Sequence, residues 1–280
     1  MESNFRILCP IDFSECSLNA LEFATRLGEL YKARLILYHV LNKSDYLKLS
    51  PDDPEGVHQK IFVTEKLQNL LEAVNEEALK NGLASAEIQM DEGQIVDTIE
   101  AFTKREKVDL IVMGTEGVNG KLSKTMGSRT SRLVGDSKVD VLVIPRTAYF
   151  KKFKLLAYAQ DYLEEDKLAI QKVVEIASFS QSRVEVVHFE KAINLRTESL
   201  HLTMQEELRA FCKSDLVEFR LQAAGSDLKS GIEDYLEENK IDMLFTLSDE
   251  QGILDRLLDR SLSKKLANSI HTPLWVIKSF

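Results

Sequence analysis

The chain repeats itself, and that repetition limits its fold more than any other feature. Arg6-Ile7-Leu8-Cys9-Pro10-Ile11-Asp12 recurs as Lys154-Leu155-Leu156-Ala157-Tyr158-Ala159-Gln160. Leu35 to Val40 recurs as Val184 to Phe189, and His39 recurs as His188. Asp109-Leu110-Ile111-Val112-Met113 returns as Asp242-Met243-Leu244-Phe245-Thr246, and Val141 to Ile144 returns as Leu274 to Ile277. Four apolar runs in one order point to a duplicated domain, since a repeat this long is too large for a solenoid unit. The second copy is shorter in its middle, where it lacks a counterpart of the Asp-, Ser- and Pro-rich stretch near Asn42 to Gln59. A length of 280 residues suits two domains that each bury a core.

Within each copy, strand-like and helix-like segments alternate. Strands are expected near 5–11, 34–40, 85–90, 108–113 and 140–144, with helices near 15–31, 59–80, 95–105 and 128–135. The second copy repeats the strands near 154–159, 184–189, 216–221, 241–246 and 274–278. Ser14 is a candidate N-cap, followed by Leu18, Leu21, Ala24, Leu27, Leu30 and Tyr31 at helical spacing. The strands are rich in Ile, Val and Leu without strict alternation. That pattern fits a parallel sheet covered on both faces, an α/β fold. The expected domains are residues 1–147 and 152–280, joined by a short linker.

The motif that carries chemistry is Gly114-x2-Gly117-x9-Gly127-Ser128. It follows an apolar strand and opens a helix. Glycine lets the backbone approach an anion without a Cβ in the way, and a helix N-terminus offers free N–H groups and partial positive charge. Phosphate suits such a place. Residues near it are net basic, with Lys121, Lys124 and Arg129 against Glu116. In the second copy Leu247, Glu250 and Arg260 stand at the glycine positions, only Ser261 persists, and Asp249, Glu250, Asp255 and Asp259 outnumber Arg256 and Arg260. Side chains and carboxylates there would oppose a triphosphate.

Five β/α units per copy, an aspartate after the first strand and G-x2-G-x9-G-[ST] after the fourth resemble the universal stress protein family in its tandem form, over essentially the whole chain. The resemblance implies two five-stranded parallel sheets of order 3-2-1-4-5 with helices on both faces, paired as an intramolecular pseudo-dimer. It implies ATP, with or without magnesium, at the carboxyl edge of the sheet, where open α/β sheets take ligands. Carried over, Asp12 approaches adenine or ribose and Val40 meets adenine through its backbone. Gly114 and Gly117 pass under ribose and phosphates, and Gly127 and Ser128 hold the phosphates. Capping of the helix near Ser14 is the alternative for Asp12, and a simple N-cap the alternative for Ser128. Gln160 is read as replacing the aspartate in the second copy, whose nucleotide motif is degenerate.

Other signals carry less. Gly120-Lys121 lacks the Ser/Thr and upstream Gly of a P-loop. His39 and His188 fit a structural role near the sheet edge. His58, His201 and His271 show no metal-ligand spacing, and no Ser–His–Asp or Cys–His arrangement emerges, so no catalytic or metal residues are assigned. Ser44 to Gly56 reads as a surface loop or as a lid over the nucleotide. Three cysteines make no disulfide framework, and with no signal-like N-terminus and no apolar run of about 20 residues the expected location is cytoplasmic. A net charge of −9 disfavours nucleic acid and anionic membranes as partners. The expected role is adenine-nucleotide binding in stress response or signalling, with an unidentified protein partner. The alternatives are a slow ATPase or autophosphorylating enzyme and an interaction scaffold with a structural nucleotide.

The family's domains pair through their fifth strands, here Val141-Leu142-Val143-Ile144 and Leu274-Trp275-Val276-Ile277. An unpaired apolar edge strand invites association. Residues 1–147 expressed alone are therefore expected to dimerise or aggregate, as read by sedimentation. A truncated domain that stays monomeric at high concentration would contradict the pairing.

Overall fold

The computed structural model describes residues 5–42, 57–115, 127–248 and 271–278. The chain divides into two compact units, Met1–Arg146 and Thr147–Phe280. In the first, β1 (Arg6–Pro10), α1 (Glu15–Tyr31), β2 (Arg34–Leu41), α2 (Val57–Asn81), β3 (Ser85–Glu92), α3 (Ile95–Glu106), β4 (Leu110–Gly114), α4 (Ser128–Asp136) and β5 (Asp140–Ile144) follow in order. Their strands are all parallel, in the spatial order β3-β2-β1-β4-β5. The second unit holds β6 (Leu155–Ala159), α5 (Asp166–Ser180), β7 (Arg183–Glu190), α6 (Leu195–Cys212), β8 (Val217–Ala223), α7 (Leu228–Glu238), β9 (Met243–Leu247) and β10 (Leu274–Ile277). Its order is β8-β7-β6-β9-β10, also all parallel. Each unit is thus the expected 3-2-1-4-5 sheet.

Burial explains why the strands do not alternate. Every residue of β4, β5, β9 and β10 is buried, as parallel strands between two helical layers must be. In the first unit α1 packs on α2 and α3 on α4, covering the two faces. The largest fully buried side chains include Tyr38, Phe23 and Phe102 in the first core and Trp275, Tyr158 and Phe245 in the second. Trp275 stacks on Phe245 with ring centroids 5.4 Å apart.

One carboxylate in each unit locks the start of the central strand. Asp109 Oδ2 accepts from the Arg6 N–H at 2.7 Å, and Asp242 Oδ2 accepts from Lys154 and Leu155 N–H at 2.6 and 3.0 Å. The recurrence of this aspartate in the sequence therefore has a structural cause. α1 begins as expected at Ser14, whose side chain accepts from Ser17 N–H. A capping bond of this kind contributes about 1 kcal/mol.

Register also corrects one alignment. Ile11 N–H donates to Tyr38 carbonyl at 2.7 Å, and the matching bond in the second unit runs from Gln160 N–H to Val187 carbonyl at 3.0 Å. Gln160 therefore corresponds to Ile11, and the counterpart of Asp12 is Asp161. The aspartate after the first strand is kept in both copies.

Gly114 has a packing reason to be glycine. A Cβ built there would lie 2.6 Å from Cys16 Cβ and 2.8 Å from its backbone C and O. The N-terminal turn of α1 comes down onto the end of β4. In the second unit Leu247 holds that place, buried, and α5 opens only at Asp166, the counterpart of Ser17. Gly114→Val is expected to destabilise the first unit by about 1–3 kcal/mol by overpacking against helix backbone. Urea unfolding measures it, and a loss below about 0.5 kcal/mol, the scale of a neutral surface change, would show that α1 yields freely.

Candidate functional site

Strand β1 ends at Pro10 and its last bond to β2 is made by Ile11, while β2 runs on to Leu41. Val40 pairs with Asp91 of β3 on one side and has no β1 residue paired with it on the other. The carboxyl edge is therefore stepped. Asp12 and Phe13 turn the chain across the step, with Phe13 in the left-handed region at φ 63°. Few bulky residues adopt that conformation, which recurs at Tyr162 with φ 60°. Strain of this kind gathers at functional sites.

Asp12 is held firmly. Its Oδ1 accepts from Ser14 N–H at 3.0 Å and from Ser14 Oγ at 2.5 Å, and its own N–H reaches Ser17 Oγ at 3.4 Å. The cap itself is Ser14, and Asp12 braces it. His39 Nδ1 lies 2.6 Å from the Ile11 carbonyl, so Nδ1 carries the proton that it donates. His188 Nδ1 repeats the contact at 2.9 Å from the Gln160 carbonyl. Both histidines thus tie the β1-type turn to the neighbouring strand. Desolvation holds the His39 pKa below the usual value, against smaller raising effects from the Ile11 carbonyl and Asp12.

Beyond β4, Thr115 N–H donates to the Ile144 carbonyl at 3.0 Å. Gly127 N–H then donates to the Thr115 carbonyl at 2.8 Å, and Thr130 Oγ1 to the Gly114 carbonyl at 3.0 Å. Gly127 is the N-cap of α4, with ordinary extended dihedrals of φ −62° and ψ 152°. Its N–H is already committed, so it is not the donor that the sequence pattern suggests. Ser128 and the residues after it open the helix, and Gly127 supplies no side-chain cap. The N-terminus of α3 has none either, since the Gln94 side chain makes no capping bond. A recess of about 250 Å³ joins these two termini, lined by Asn42, Gln94, Ile95, Val96, Ser128, Arg129 and Arg132. Arg132 bridges to Asp97 at 2.5 Å and to Asp136 at 3.2 Å. Gly117 lies outside the described residues, as do Lys121, Lys124 and the segment Ser44 to Gly56.

Thus the fold gathers Asp12, Val40, Gly114, Gly127 and Ser128 at one edge of one sheet. The arginines of α4, with Asn42 and Gln94, were not singled out as a group by sequence reading. Their signal was weak, because they come from three separate segments.

The second unit differs in kind at the same edge. Asp166 sits at the start of α5 and is buried, accepting from Tyr158 OH at 2.5 Å, Leu163 N–H at 2.8 Å and Asp161 N–H at 3.2 Å. Burial raises its pKa, an effect partly offset by those hydrogen bonds. Tyr162 stacks on His188 with centroids 4.0 Å apart, and its OH lies 2.9 Å from His201 Nδ1. Glu250, Arg260 and Ser261 lie outside the described residues. Among the described residues no group of three or more His, Cys, Asp or Glu is placed to hold a metal ion, and no helix is long and apolar enough to cross a membrane.

A pH dependence follows from His39. Its folded pKa is depressed, so the unfolded chain takes the proton first as pH falls. Its contribution to stability is complete above the ordinary histidine pKa of about 6.5 and declines below it until the folded form also protonates. Urea midpoints from pH 7 to 5 are expected to fall more steeply in the wild type than in His39→Gln. Parallel profiles would refute that assignment.

The family profile described as "Universal stress protein family" matches residues 4–145. A universal stress protein of Methanocaldococcus jannaschii is 28% identical over 148 residues, covering 50% of this chain and 82% of that protein. One from Synechocystis is 30% identical over 143 residues, covering 50% of this chain and 84% of its own. The crystal structure of a universal stress protein from Archaeoglobus fulgidus superposes with a TM-score of 0.69 at 19% identity, covering 98% of this chain and 96% of that one. That likeness spans both units and establishes the shared fold. With a profile match across half of its length and this architecture, the chain belongs to the universal stress protein family.

Proposed function

We propose that the first unit binds an adenine nucleotide, ATP in the first instance, at the carboxyl edge between β1 and β4, and that the chain acts as a nucleotide-responsive protein in stress adaptation or signalling. The observation that carries this reading is the N-terminus of α4 at Ser128, whose N-cap Gly127 supplies no side-chain bond and which opens on a recess lined by Arg129 and Arg132. A helix terminus with no side-chain cap offers N–H groups to phosphate, and nearby guanidinium groups add charge-assisted bonds. Asp12, Val40 and the strained Phe13 would then face the nucleoside. The family resemblance supplies the identity of the base. Any magnesium would travel with the phosphates, since the described residues offer no cluster to hold it.

Proton chemistry has less support. Asp12 is the carboxylate that follows β1, and its Oδ1 is engaged by Ser14. Binding without rapid turnover is therefore the reading adopted.

Calorimetry is expected to give about one ATP per chain. Ser128→Asp should lower ATP affinity about tenfold or more by placing a carboxylate where phosphate would sit, yet spare stability because acids are favoured in a first helical turn. Unchanged affinity would remove the α4 terminus from the site. Asp12→Ala should weaken both adenosine and ATP in the first unit, while Asp161→Ala, its true counterpart, should leave ATP affinity alone. Equal losses from the two substitutions would defeat the assignment to the first unit.

A further inference from the structure

We propose that two copies of this chain associate through strand β8 of the second unit, antiparallel, with Phe219 opposite the partner's Phe219. β8 stands last in its sheet, and among the described residues it pairs only with β7. Its ladder is regular from end to end. The Leu216 carbonyl accepts from Val184 N–H at 2.8 Å, and Ala224 N–H donates to the Glu190 carbonyl at 2.7 Å. Backbone direction alternates along a strand, so Leu216, Glu218, Arg220, Gln222 and Ala224 turn their groups toward β7. Val217, Phe219 and Leu221 therefore turn theirs outward. A strand of 7 residues with such a row, and with neither proline nor lysine to blunt it, is a template for another strand.

Charge chooses the register and the partner. Centring an antiparallel pair on Glu218 or on Arg220 would set like charges face to face, which opposes pairing. Centring it on Phe219 sets Glu218 opposite the partner's Arg220 on both sides of the axis. It also sets Val217 opposite the partner's Leu221, with the outward backbone groups of both strands meeting. The run Val217-Glu218-Phe219-Arg220-Leu221 is thus complementary to its own reverse, as an isologous contact requires. Arg220 bridges Glu185 at 2.7 Å and Glu218 at 3.4 Å, and a guanidinium has donors enough to take the partner's Glu218 as well. β3, the last strand of the first unit's sheet, holds Glu87, Asp91 and Glu92 and no basic residue, so two copies of it would set acid against acid.

Helix α6 extends the same surface. Leu195, Leu202 and Arg209 recur at i, i+7 and form one line along the helix. The Arg209 guanidinium lies 5.5 Å from the centroid of the Phe219 ring, which turns that line toward β8. Glu207, on the other flank, bridges to Lys167 of α5 at 2.5 Å. Leu195 and Leu202 therefore stand on the flank away from α5, 84% and 61% exposed. Leucines open to solvent beside an unpaired strand edge suit burial against the partner's second unit.

Sedimentation equilibrium of the full chain tests this without nucleotide. A dimer is expected at micromolar concentration. Leu221→Pro should give a monomer, because it removes an outward N–H and leaves the bonds to β7 intact, a place where an edge strand accepts proline. Unchanged circular dichroism will show that the variant is folded. Glu218→Arg and Arg220→Glu should each weaken the dimer about tenfold or more, since each sets like charges across the axis. An equimolar mixture of those two variants should recover it, because each chain supplies the charge that the other lacks. A wild-type chain that stays monomeric, a dimer unaffected by Leu221→Pro, or a mixture no tighter than its components would overturn the proposal. The Leu221→Pro comparison decides the matter even where Arg220→Glu fails to fold.

Discussion

Strand β1 bonds to β2 on one side and β4 on the other, and everything at the candidate site hangs from that placement. The connections out of β1 and β4 leave toward opposite layers of helices. The sheet therefore opens between them at its carboxyl end, the place where open α/β sheets take ligands. Asp109 fixes the start of β1 through Arg6 N–H, and Gly114 admits α1 against the end of β4. The first interaction sets the register and the second sets how closely the α1 turn, with Asp12 and Ser14, overhangs the cleft. The second unit keeps the register lock at Asp242 and changes the approach at Leu247. One fold thus presents two different edges, and the change is local.

Much of this architecture is legible in the sequence, for physical reasons. Ser14 and the Leu/Ala stripe behind it mark α1, and the structure places that helix at Glu15–Tyr31. Apolar runs without alternation mark buried parallel strands. Helix ends are less legible, because α1, α3, α5 and α6 stop at Lys32, Lys107, Gln181 and Lys213 in left-handed conformations that glycine would have advertised. The match of Asp12 to Gln160 fails for a related reason. Cys9-Pro10-Ile11-Asp12 and Tyr158-Ala159-Gln160-Asp161 share almost no chemistry except the last residue. Aligning the apolar runs leaves a shift of one residue undecided, and only the bonds from Ile11 and Gln160 to the next strand decide it.

The site shows the same division. Which residues reach the edge follows from the motif, but which donors are available does not. Gly127 fits the glycine pattern, yet its N–H belongs to the Thr115 carbonyl and its φ makes no demand for glycine. Arg132 belongs to no motif and lines the recess only because the termini of α3 and α4 converge. Its bridges to Asp97 and Asp136 leave that surface nearly balanced in charge. A phosphate there would compete with two carboxylates for one guanidinium. Attraction at such a recess depends on what the acids release as well as on the arginines.

The helices that follow the two central strands both close their first turns, with different groups. The first turn of a helix has unsatisfied N–H groups wherever it lies. In the first unit Ser14 and Asp12 close the α1 terminus, and the α4 terminus stays without a side-chain cap. In the second, a buried carboxylate, Asp166, closes the α5 terminus and binds the turn before it. A terminus closed by its own carboxylate has no reason to attract phosphate, however well the rest of the fold is kept. The amide of Gln160 beside it is a different kind of polar group, neutral and able both to give and to accept. The duplicated units keep the strand order and the aspartate that fixes the central strand while the groups that close the next helix have diverged, because any acceptor that reaches the first N–H donors can close a helix terminus.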